Sequence, residues 1–133
     1  MISLALAVAL AVQEPPPGFQ VVELGPPWES VVVGDWTYIG ATSSNDMAVF
    51  ARQGRQANRI WTRFEYAPPR DGVGSSTSFV EVDCGEWKQR SLQTSNFELG
   101  NMDGKASVIA SEGWTYAGPG TFAEALQEFA CSE

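Results

Sequence analysis

Histidine is absent from all 133 residues. That removes the commonest general base and the commonest metal ligand. Lysine is almost absent, with only Lys88 and Lys105, and there are only two cysteines, Cys84 and Cys131. No Cys/His zinc set can be assembled from these, and no metal or other cofactor is expected. A serine nucleophile would have to lean on one of the two lysines, and neither sits in a recognisable motif. Bases number eight against sixteen acids, for a net charge of −8. A chain so poor in positive charge lacks the basic patch that nucleic acid requires, and it is not drawn electrostatically to anionic lipid. No apolar run reaches the roughly 20 residues that a membrane-spanning helix needs, so no transmembrane segment is expected in the mature chain.

What is present suits one domain with one core: 44% hydrophobic and 18% charged residues. Met1 to Val12 is an unbroken apolar run of the length of a signal-peptide core. Ala9-Leu10-Ala11 supplies a small-x-small cleavage pattern, with Ala7-Val8-Ala9 as second choice. Residues 1–11 are therefore expected to be a signal peptide. No Lys or Arg precedes the run, which leaves room for a start upstream of Met1, and the competing reading is a first strand or helix of the domain. Gln13 to Pro27 carries five prolines, three of them consecutive. Residues 12–34 then read as a Pro-rich spacer or an arm on the domain, with Phe19, Val21, Val22 and Leu24 able to dock and Val31-Val32-Val33 a candidate short strand.

The compact domain is expected over 35–133. Strands are expected at Trp36 to Gly40, Met47 to Arg52, Asn58 to Tyr66, Thr77 to Cys84, Glu86 to Thr94 with Phe97 to Leu99 as an extension, Ala106 to Ala110 and Trp114 to Tyr116. The fourth alternates most clearly: Ser78, Val80, Val82 and Cys84 on one side, Thr77, Phe79, Glu81 and Asp83 on the other. Ala67 to Gly74 reads as a loop, since Pro68 and Pro69 remove ladder donors. Thr121-Phe122-Ala123-Glu124 is a capping box, and Phe122, Leu126 and Phe129 follow at helical spacing, so a C-terminal helix runs to Cys131. The expected fold is α+β: an antiparallel sheet of about six strands with one C-terminal helix.

If the chain is exported, its compartment is oxidising and Cys84 pairs with Cys131. The two are far apart and form no CxxC motif, which favours a structural bond over a redox pair. The closed loop of 48 residues, both ends counted, corresponds to about 4 kcal/mol by chain entropy.

The order of these features resembles the bacterial surface-adhesin E-like domain. The residues that carry it are Trp36-Thr37-Tyr38-Ile39-Gly40, Arg59-Ile60-Trp61-Thr62-Arg63, Phe79 to Cys84, Arg90-Ser91-Leu92, Trp114, Gly118-Pro119-Gly120-Thr121 and Cys131. The resemblance covers about residues 35 to 131. It implies a small exported domain at the periplasm or outer surface of a Gram-negative cell. Its founding member is an adhesin that binds host matrix and serum proteins and can dimerise, so a protein or cell-surface partner and a homodimer are implied. That adhesin is a lipoprotein, and this chain has no cysteine near the cleavage point for such an anchor.

The candidate binding patch is the face shared by Arg59, Trp61 and Arg63 on one strand and Phe79 and Glu81 on the next. A hairpin would set arginine against acid there, and Trp and Arg are favoured at interface hot spots. The same face could instead receive the helix, the arm or a second subunit, and the residues do not tell which face the helix takes. Other motifs carry less. Asp71 to Ser76 is glycine-rich but precedes a strand, without the full phosphate-loop pattern. Gly118-Pro119-Gly120-Thr121 could hold an anion on free amides, though its ordinary role is a cap. Glu81 and Asp83 could serve glycoside hydrolysis only at a spacing that sequence does not show, and neighbouring arginines would occupy them. The expectation is a non-catalytic binding domain; the alternatives are a periplasmic structural or assembly factor and, more remotely, a small hydrolase.

Overall fold

The computed structural model describes residues 24–132. The expected signal segment 1–11 and residues 12–23, including Phe19, Val21 and Val22, lie outside the described residues. Seven strands and one helix follow in order: β1 (Thr37–Ala41), β2 (Met47–Gln53), β3 (Arg59–Arg70), β4 (Val73–Asp83), β5 (Lys88–Leu99), β6 (Asp103–Ile109), β7 (Thr115–Tyr116) and α1 (Phe122–Cys131). The sheet is antiparallel throughout its pairings, in the order β1-β2-β3-β4-β5-β6. β7 returns to pair with the first residues of β5, Lys88 and Gln89, while β6 pairs with its second half. The expected α+β architecture is the observed one, and Phe97 to Leu99 belongs to β5 as one continuous strand.

The register sets the faces. Ile60 stands opposite Val80, Ala51 opposite Thr62 and Val49 opposite Phe64. These share an inner face, where Val49, Ala51, Ile60, Val80 and Val82 pack against Leu126 and Ala130 of α1. The helix begins as its capping box dictates. Thr121 Oγ1 accepts from Glu124 N–H at 3.2 Å, and Glu124 Oε1 reaches back to Gly120 N–H at 2.9 Å. Its last residue, Cys131, is bonded to Cys84 just past β4, with Cα atoms 5.8 Å apart. A fully buried glutamine adds a polar tie: Gln127 donates to the Asp83 carbonyl at 3.0 Å and accepts from Gln89 at 2.9 Å. Burying that amide costs little because both its ends are bonded.

Two expectations fail locally. The prolines of Ala67 to Gly74 do not interrupt the sheet: β3 runs through them to Arg70 and turns directly into β4. The ladder shifts register between Glu65 and Arg70, so Pro68 and Pro69 fall where no donor is required. Pairing resumes at Arg70 and Val73 around Asp71 and Gly72, both at positive φ (53° and 78°). That is the two-residue hairpin turn that Asp-Gly favours. Val31-Val32-Val33 is not a strand either. It is irregular chain, held by side-chain hydrogen bonds described below.

The helix therefore occupies the inner face. The outer face is covered over β1 to β3 by residues 24–36, an arm that buries Trp28 and Trp36 with Ala48 and Phe50 and packs Leu24, Val31 and Val33 beside them. Trp28 Nε1 donates to Asn45 Oδ1 at 2.8 Å, fixing the start of the arm to the β1–β2 turn.

Candidate functional site

Register brings the expected patch together on the outer face. Arg59 stands opposite Glu81, Trp61 opposite Phe79 and Arg63 opposite Thr77. The Trp61 and Phe79 rings lie 4.7 Å apart at 34°, and the Arg59 guanidinium sits 6.0 Å from the Phe79 centroid. Strand alternation places all five residues on one side, because each is an even number of positions from the next along its strand.

The five do not share one environment. Arg63 is fully buried. Its Nε donates to Glu65 at 2.8 Å, Nη1 to the Val32 carbonyl at 2.9 Å and Nη2 to Asn101 Oδ1 at 3.0 Å. Its plane lies over Phe50, 4.9 Å from the ring centroid. Asn101, in the β5–β6 turn at φ 59°, also accepts from Val32 N–H and donates to the Ser30 carbonyl. Glu65 closes the set by accepting from Asn101 N–H at 3.0 Å. A buried guanidinium needs this many acceptors, and their geometry fastens the arm to the sheet. Arg63 thus holds the arm and offers nothing to an outside partner.

Trp61 lies at the edge of the arm, packed against its cluster, and Arg59, Phe79 and Glu81 continue from it; all four are partly exposed. β5 extends them. Glu81 stands opposite Arg90 as well as Arg59. Arg90 donates to its carboxylate at 2.8–2.9 Å, and Arg59 lies 3.8 Å from its other oxygen. The Arg90 guanidinium in turn covers Trp114 at 4.8 Å, and Lys88 approaches the same ring at 5.2 Å. The strip therefore runs Trp61, Phe79, Arg59, Glu81, Arg90, Trp114, a charged centre between rings at either end, across three strands and the segment before β7. Arg59 Nε is buried without a hydrogen-bond partner. A shallow cleft of about 400 Å³ opens beside the strip between Glu81, Asn58 and Trp114.

Arg90 and Trp114 were not among the expected site residues. The signal for Arg90 was available: a hairpin centred between Gly85 and Glu86 sets it opposite Glu81. Trp114 carried none, since its place depends on the chain returning to β5 through β7.

The arrangement can bind through stacked rings and oriented guanidinium groups. It does not assemble metal-ligating groups: no cluster of three Cys, Asp or Glu suited to a metal is found among the described residues. Elsewhere one carboxyl is perturbed. Asp46, in the β1–β2 turn, is held below the usual carboxylate range, chiefly by the Thr42 hydroxyl, then by Ser44 and, more weakly, by Arg70. It belongs to turn architecture, far along the sheet from the strip.

A family model described as surface-adhesin protein E matches residues 36–132. No curated protein and no solved structure matches the chain.

Proposed function

The chain belongs to the surface-adhesin protein E family, and from that premise we propose that it is an exported, non-catalytic binding domain of the Gram-negative cell envelope that engages a protein partner through the outer-face strip. The observation that carries this reading is the strip itself: Trp61, Phe79, Arg59, Glu81, Arg90 and Trp114 in one contact series, partly exposed and reaching outward from the edge of the arm at Trp61. Trp and Arg pre-stacked on one another lose little side-chain freedom on binding, which suits them to anchor an interface. The one carboxylate of the strip is occupied by two guanidinium groups and so serves to hold them in place. The disulfide fits an oxidising compartment.

The test is binding of the exported chain to immobilised host matrix and serum proteins, with Trp114→Ala and Arg59→Ala variants checked for an unchanged melting temperature. If Trp114 is an anchor, its loss weakens binding by about 2 kcal/mol, roughly thirtyfold. Binding that survives both substitutions places the contact elsewhere. Absence of any such ligand, with the chain protected from protease in intact cells, leaves a periplasmic structural role.

A further inference from the structure

On the inner face, α1 packs over β1 to β4 and the apolar core lies beneath it. Beyond the helix the same face changes character. Thr62, Ser78 and Thr94 lie in one cross-strand row, and Ser91 follows opposite Val80. Hydroxyls thus stand where a sheet covered by a helix would carry Val or Ile. A cavity of about 200 Å³ opens at this boundary, roughly the liquid volume of six or seven waters. Its floor is Phe64, Val80 and Leu126; Ser78 and Ser91 line its wall, and the exposed Glu112 and Gly113 its open side.

The hydrogen-bonding inventory of that wall is unbalanced. Ser78 and Ser91 each share a bond with Thr94 just behind them, at 2.7 and 3.0 Å, while the lining Thr62 and Thr115 donate to the Ser78 and Gln89 carbonyls. With Thr94 behind the wall, these five hydroxyls bring five donors and ten acceptor sites; the four bonds use four donors and two of the acceptor sites, leaving one donor and eight acceptor sites. Glu112 adds acceptors only. Arg90 borders the cavity, but its guanidinium is spent on Glu81 and Trp114 on the other face. An anion would find no cation here, and a wholly apolar ligand would bury the wall's remaining acceptor sites without offering them a donor. A ligand with one apolar face and several hydroxyl donors matches both floor and wall.

We propose that this cavity binds a single ring of a neutral saccharide, its C–H face on Phe64 and Leu126 and its hydroxyls on Ser78, Ser91 and Glu112. The site lies on the opposite side of the sheet from the outer-face strip and is independent of the reading given for it.

The experiment is an amide-resonance titration of the exported chain with neutral mono- and disaccharides. Host-type sugars form one arm and bacterial envelope sugars a second, with ethanolamine and acetate as competing chemistries. The expected result is saturable shifts at Ser78, Ser91 and Thr115 with a saccharide of either arm, the arm identifying the source. A blocking variant is available, because a Cβ added at Gly113 meets nothing within 4 Å. Gly113→Leu should weaken saccharide binding at least about tenfold with the fold intact, while Arg59→Ala should leave it unchanged. The proposal is overturned if no saccharide gives saturable shifts, if Gly113→Leu binds as tightly as the parent, or if only ethanolamine or acetate titrates.

Discussion

Two arginine–glutamate nodes sit on the outer face, and they have opposite fates. In the first, Arg63 and Glu65 are 1% and 3% exposed at their side chains; in the second, Arg59, Glu81 and Arg90 are 33%, 16% and 39% exposed. The charges are alike and the strands are the same or adjacent. The difference lies in what covers them. Arg63 meets a backbone carbonyl and an asparagine brought from distant parts of the chain, so each of its three nitrogens has a use and the node serves the fold. The Glu81 node meets only rings and its own counter-charges, and keeps an unpartnered Nε. A charged cluster becomes available for recognition where folding has not used up its hydrogen bonds.

The comparison can be broken most sharply at Arg63. Arg63→Ala leaves Glu65 buried without its counter-charge and removes one of the two ties to Val32, so a loss of about 3–5 kcal/mol is expected in urea unfolding. An unchanged midpoint would mean that the arm does not depend on the buried node. Reduction of Cys84–Cys131 should cost about 2–4 kcal/mol. It should act on the inner face, so that amides of α1 lose exchange protection while Trp28 and Trp36 stay buried by fluorescence. If the tryptophans are exposed together with the helix, the two faces are one cooperative unit. At the open node, Glu81→Gln should change stability by only roughly 0.2–1 kcal/mol, while loosening Arg59 and Arg90 enough to lower partner affinity. A loss as large as that at Arg63 would erase the distinction between the nodes. The smallest effect is expected at Asp46. A carboxyl held below its usual range stabilises the fold once pH exceeds its unfolded pKa, near the reference 3.8. That contribution fades as pH falls through the lower folded value. Thr42→Val removes the main cause, so the acid limb of the stability profile should shift to higher pH, as read by thermal melts between about pH 2 and 5.

The sequence made the inner face readable because one physical rule governs it. Val80 and Val82 alternate, Leu126 and Phe129 recur at helical spacing, and the cysteines close the two elements on each other. The outer face needed more than periodicity. Arg59 and Arg63 occupy equivalent positions on one strand, and nothing local separates them. Burial of Arg63 comes from Val32 and Asn101, which lie 31 and 38 residues away. The arm was marked by its prolines as a spacer or a docked strap, and Trp28, which decides between the two, finds its partner only at Asn45. Pro68 and Pro69 misled for a related reason. The rule against proline in a ladder is sound, but it speaks of donors, and the register shift leaves none to lose there.

The arm's fastening also dictates an order of events. Ser30 and Val32 wait on Asn101, 71 and 69 residues further along. Contacts that distant form late, since the intervening chain must first be brought together. In a chain made from its N-terminus, the arm emerges well before its latch, and β6, β7 and α1 emerge after that latch. Until the β5–β6 turn exists, Trp28 and Trp36 have only part of their seat. The arm therefore closes fully only once β5 and the turn after it are in place, and its closure reports that the sheet has been built at least as far as β5.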